Sequence, residues 1–211
     1  MHKYLFTALA AAGALLITAC SGNNRFIGSW TASAPVSIAA ELPAASSANA
    51  LVSFDFQPAQ TGNSNGTFLY SAVIEASQPV VPDSVAPADA PYEVSVAATA
   101  SVNGTWTRHD DDELLLSFDM STVKVDVDPS GVTFSQNMLT GAQQPAVDSL
   151  TTRTAAVWSR QIESAVKTSL RQYSKLDDVK VSSDGTVLSF EIKDVAGRDR
   201  DVVMHRVISG N

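Results

Sequence analysis

The chain of 211 residues has a single cysteine, Cys20, so no disulfide can form within it, and it is not a disulfide-stapled scaffold. Histidine is almost as scarce. Of three histidines one is His2, which leaves only His109 and His205 for a Ser-His-Asp triad or a histidine-rich metal site. Cations are few as well: 14 Lys and Arg stand against 22 Asp and Glu, a net charge of −8. That balance opposes sequence-independent phosphate binding, so no nucleic-acid partner is expected. After residue 19 no apolar run approaches the roughly 20 residues of a membrane-spanning helix. What remains is 45% hydrophobic and 17% charged, with Gly and Pro near ordinary usage, the composition of one globular domain with its own core.

The start of the chain reads as an address. His2 and Lys3 precede an Ala/Leu-rich apolar run from Leu5 to Thr18, which has signal-peptide length. It ends in Leu16-Ile17-Thr18-Ala19-Cys20, which resembles the lipobox of bacterial lipoproteins. The resemblance implies cleavage before Cys20, a diacylglyceryl thioether on its sulfur and an acyl chain such as palmitate on its amine. Two or three chains hold a membrane far more firmly than one. Ser21 after the cysteine, by resemblance to the sorting rule for such proteins, implies the outer membrane of a Gram-negative bacterium. The expected organisation is a signal peptide over 1–19, a lipidated tether over 20–25 and a domain over 26–211.

Within the domain the pattern is mainly that of strands. Val52, Phe54 and Phe56 alternate with polar residues, as do Phe68, Tyr70, Ala72 and Ile74, with a turn-forming stretch over 57–66 between them. A proline-rich segment from Ser77 to Pro91 predicts a long loop. Tyr92 to Val102 alternates again and ends at Asn103-Gly104, a pair that suits a type I′ hairpin turn. Further strands are predicted over 105–108, 113–119, 123–127 and 132–135, and a meander is implied. From Ser149 the period changes: Trp158, Ile162, Val166, Leu170 and Tyr173 fall on one face of a helix. Arg160, Lys167 and Arg171 lie on the other, a basic patch in an acidic chain that could face anionic headgroups. Two hairpin strands around Ser183-Asp184-Gly185 and a last strand over 201–208 complete a mainly β fold of nine or ten antiparallel strands, with one C-terminal amphipathic helix packed on it.

Phe26-Ile27-Gly28-Ser29-Trp30 resembles the G-x-W opening of lipocalin-like (calycin) barrels, which run through an antiparallel meander to a late helix. The resemblance implies that an arginine of the final strand packs across Trp30 and seals one barrel end. Arg206 is the matching candidate, with Arg200 second. It also implies a small hydrophobic ligand or lipid held in a pocket lined by Phe54, Phe56, Tyr70 and Val96, with room left by Ala72, Ala98 and Ala100. At least two strands follow the helix here, where the family has one.

Chemical motifs are few. Gly62-Asn63-Ser64-Asn65-Gly66 matches the G-x-S-x-G elbow of hydrolases, but an alternating strand follows where that elbow needs a helix. His109-Asp110-Asp111-Asp112-Glu113 lacks the glycine and spacing of a calcium loop and reads as a solvated turn. Asp83-Ser84-Val85 resembles the acceptor pattern of a bacterial O-glycosylation system, which makes Ser84 a candidate for a glycan; Asp148-Ser149-Leu150 fits the same pattern. No catalytic residue, metal ligand or cofactor is expected. The function expected is a non-enzymatic envelope lipoprotein that holds a hydrophobic molecule in its barrel. The alternative is a filled barrel that serves as a protein-interaction or structural module.

Overall fold

The computed structural model describes residues 24–59, 64–80, 92–135, 144–194 and 196–208. Among these residues eleven strands, against the nine or ten expected, and one long helix follow in the order β1 (Gly28–Ala32), β2 (Val36–Ser37), β3 (Ser47–Pro58), β4 (Asn65–Val80), β5 (Tyr92–Asp110), β6 (Glu113–Phe118), β7 (Lys124–Asp126), β8 (Val132–Phe134), α1 (Gln144–Ser169), β9 (Lys175–Val181), β10 (Val187–Lys193) and β11 (Asp199–Arg206). A 3-10 turn over Leu170–Tyr173 prolongs α1. The fold is mainly β, as expected, and it closes. The strands β1, β3, β4, β5, β6, β9, β10 and β11 form an antiparallel barrel of eight strands, completed where β1 pairs with both β11 and β3. Three strands, β9 to β11, follow the helix.

Three strands are longer than the barrel needs. The first half of β3 carries β2 on its edge, and the first half of β5 carries β7 and β8, so β3, β4 and β5 continue past the ring as an open sheet. An open apolar sheet face must be covered. Helix α1 does this, packing on β5, β7 and β8, with Ser159 Oγ donating to the Val125 carbonyl at 3.3 Å. The inward residues change character at the boundary. In register, Phe54, Tyr70 and Val102 form one row and Phe56, Phe68 and Gly104 the next, whereas Val52, Ala72 and Ala100, then Ala50, Ile74 and Ala98, form the rows toward the extension. Aromatic rings fill the barrel, and small side chains let a helix lie close to the sheet.

Two sequence expectations are corrected. Asn103-Gly104 is not a turn: β5 runs through it, with Gly104 paired to Phe68 on one side and Phe118 on the other. The turn lies instead at Asp111-Asp112. Gly104 does not use a positive φ; it gives space. A Cβ there would overlap the edge of the Phe68 ring and come within 2.7 Å of the Ser117 carbonyl oxygen. Gly104→Ala is therefore expected to cost about 1 to 3 kcal/mol by overpacking, measured by urea unfolding, and Gly104→Ala with Phe68→Leu should recover part of the loss. The second correction is at the proline-rich loop, where β4 continues to Val80 and pairs with the start of β5; residues 81–91 lie outside the described residues.

Candidate functional site

One end of the barrel is built around Trp30. β1 lies between β11 and β3, which places Trp30 opposite Arg206 on one side and Phe54 on the other. Trp30 is completely buried. Its indole Nε1 donates to the Phe26 carbonyl at 2.6 Å, and the Arg206 guanidinium carbon lies 4.2 Å from its ring centroid. The guanidinium is fixed by three backbone carbonyls: Nε donates to Gly185 at 2.7 Å, Nη1 to Ile27 at 3.0 Å and Nη2 to Arg25 at 2.8 Å. Burial, and then the positive charge of nearby Arg25, lower the Arg206 pKa from its usual value. Gly28 is required twice, by its φ of +119° and because a Cβ would stand 2.6 Å from Arg206 Nη1. Gly28, Trp30 and Arg206 thus meet at this end. Arg200 does not: it pairs with Ile192 at the other end of β10 and β11, where its positive charge acts on Tyr173.

Phe54, Phe56, Tyr70 and Val96 all point inward and are buried. They do not line one open space. Phe54 stacks on Phe56 with centroids 5.4 Å apart, meets Tyr70 at 5.4 Å and receives Tyr173 from the end of the helix at 5.7 Å. Val96 lies away from them, on the extension, opposite Val132 of β8. The hollow between Tyr70, Tyr173 and Arg200 is about 10 Å³, the space of one water. Ala72, Ala98 and Ala100, read from the sequence as room for a ligand, belong to rows toward the part of the sheet on which α1 packs. Tyr173 is the residue that sequence reasoning undervalued. Its place at the end of the apolar helical row marked it as core, but not as the ring that enters the barrel mouth.

These tyrosines give the barrel a pH limit. Burial, then the neighbouring Tyr173, raises the Tyr70 pKa far above 10.0, and burial also raises that of Tyr173 against the opposing pull of Arg200. The folded state keeps both protons where the unfolded chain has lost them. Stability from this source is complete below the unfolded value near 10 and falls above it by about 1.4 kcal/mol per pH unit for each group. Ultraviolet titration should show both tyrosines ionising only as the protein unfolds, and Tyr173→Phe should soften the alkaline decline.

The remaining candidates are scattered. His109 and His205 are exposed, and among the described residues no group of three or more His, Cys, Asp and Glu could hold a metal. Ser64 is exposed just before β4, with no helix following. Ser149 is exposed on α1. Cys20, Ser84 and Gly62 lie outside the described residues. Lys167 pairs with Glu163 at 2.6 Å, while Arg153, Arg160 and Arg171 are exposed. The helix enters the barrel at the Arg200 end, whereas Arg25 bonds the Ser182 and Ser183 carbonyls at the Trp30 end. The C-terminal end of the helix and Arg25 thus lie at opposite ends of the barrel. Comparisons of the chain with protein-family models, curated proteins and solved structures find no match.

Proposed function

We propose that the protein is a lipid-anchored component of the cell envelope, held on Cys20 in the outer membrane of a Gram-negative bacterium. Its lipocalin-like barrel is filled and serves as a non-enzymatic interaction or structural module for an envelope protein. The observation that supports a filled barrel is the packing of Phe54, Phe56, Phe68, Tyr70 and Tyr173 into ring contacts between 5.4 and 6.2 Å. A carrier of hydrophobic molecules would have to withdraw Tyr173 and part the phenylalanines, giving up about 0.5 to 1.5 kcal/mol for each aromatic pair lost. The anchor rests on the lipobox resemblance at Leu16 to Cys20, and an O-glycan on Ser84 is part of the same reading.

Titration of the full chain with a fluorescent long-chain fatty acid tests the filled barrel. No saturable binding is expected while the protein remains folded, and a one-to-one complex would restore the carrier. Cys20→Ser tests the anchor. The variant should accumulate as an uncleaved or mislocalised precursor, and its recovery as a normally processed soluble protein would contradict the anchor while leaving the barrel untouched.

A further inference from the structure

A cleft of about 130 Å³ opens beside the Trp30 end, where the β5–β6 turn faces β9. Irregular backbone makes it. β5 slips register against β6 between Arg108 and Asp110, and β9 slips against β10 where Lys180 and Asp177 face Ser189 and Glu191. Between those two positions of β9 stands Asp178, whose φ of 54° is uncommon for a residue with a side chain. On the cleft side of Leu114↔Leu176 and Leu115↔Lys175, the backbone contact of β6 with β9 is continued by Val179 N donating to the Asp112 carbonyl at 2.8 Å. Bulges of this kind re-aim side chains and end pairing, and they occur often beside binding sites.

The lining combines both charges with an apolar surface. Arg25, Arg108, Asp111 and Asp112 share it with Val179 and Val181. Arg108 lies over the Phe26 ring at 5.4 Å, and Arg108 and Asp111 both have partners within the protein. Arg25 and Asp112 differ from them. Arg25 uses only Nη2, on the Ser182 and Ser183 carbonyls, so its Nε and Nη1 have no partner among the described residues. The Asp112 carboxylate makes no hydrogen bond or salt bridge among the described residues, and its negative charge acts only through space, on Lys180. Two opposite charges therefore line one cleft without pairing across it.

We infer that this cleft binds a compact zwitterion, with the anionic group on Arg25, the ammonium group on Asp112 and the short carbon spacer against Val179 and Val181. A volume of about 130 Å³ leaves room for a short spacer with a charged group at each end. Two sources carry this chemistry: a free amino acid and the headgroup of a zwitterionic phospholipid. The second rests on the anchor reading, which keeps the Arg25 end within about 18 Å of the bilayer through a five-residue tether.

The full chain in non-ionic detergent is titrated calorimetrically with glycine and with sn-glycero-3-phosphoethanolamine, and with inorganic phosphate and ethylamine as singly functional controls. At least one zwitterion should bind saturably, and each control at least about tenfold more weakly. Tighter binding of the phosphoethanolamine compound identifies the headgroup as the source; tighter binding of glycine identifies the free amino acid. Arg25→Gln and Asp112→Asn should each weaken binding about tenfold in a protein that remains folded. Cys20→Ser should bind as the native chain does, so failure of the anchor is told apart from failure of the site. Absence of saturable binding by a folded protein, equal binding of the controls, or full binding by a folded Asp112→Asn would overturn the proposal.

Discussion

Trp30→Ala is expected to lower stability by about 3 to 5 kcal/mol, which for a domain of this size moves the melting temperature down by roughly 10 °C. The side chain is wholly buried, and its loss acts in three ways at once. It leaves a cavity between β11 and β3, removes the donor that satisfies the Phe26 carbonyl, and takes away the ring beneath Arg206. The buried carbonyl alone costs about 1 to 3 kcal/mol when orphaned. Trp30→Phe keeps an aromatic face under the guanidinium and should lose less. Arg206→Lys should also be harmful, since an ammonium cannot reproduce a planar fork bonded to Gly185, Ile27 and Arg25. Urea unfolding measures each of these. A Trp30→Ala protein that unfolds with the native midpoint would remove the barrel-end account.

Ile162→Asp should have a comparable or larger effect through a different route. Ile162 is fully buried at the middle of the apolar face of α1, among Trp158, Ala165, Val166 and Leu170, all buried as well. A carboxylate there has no partner, and burying an unpaired charge costs several kcal/mol, enough to make undocking the cheaper outcome. Once α1 lifts, the small-residue rows of β3 to β5 meet water and Tyr173 leaves the barrel mouth. The expected result is a loss above about 4 kcal/mol, with rapid proteolytic cleavage within 144–169. Ile162→Val, by contrast, should cost about 1 kcal/mol, and Gln161→Asp on the exposed side less than about 0.5 kcal/mol. If Ile162→Asp melts like Ile162→Val, the helix is not what covers the sheet.

Much of this fold can be read from local pattern. Phe54 and Phe56, or Phe68 to Ile74, declare which side of a strand is apolar, because side chains alternate with period two. Trp158 to Tyr173 declare a helix with period 3.6. Trp30 and Arg206 lie 176 positions apart, and only the resemblance at Gly28-Ser29-Trp30 paired them before the structure did. Asn103-Gly104 misled because turn chemistry is a local signal, whereas Gly104 answers a neighbour on another strand, the Phe68 ring. Ala72, Ala98 and Ala100 are ambiguous for a similar reason: small side chains show that something large lies opposite, but not whether it is a ligand or a helix. The cleft at Arg25 and Asp112 was illegible for a further reason. It depends on two register slips, and slips leave no mark in alternation.

Native mass spectrometry of the full chain, released gently from its own membrane, tests the filled, lipid-anchored barrel most directly. The account predicts a polypeptide beginning at Cys20, carrying its acyl chains, with no hydrophobic small molecule retained. A stoichiometric hydrophobic passenger that survives release would contradict it.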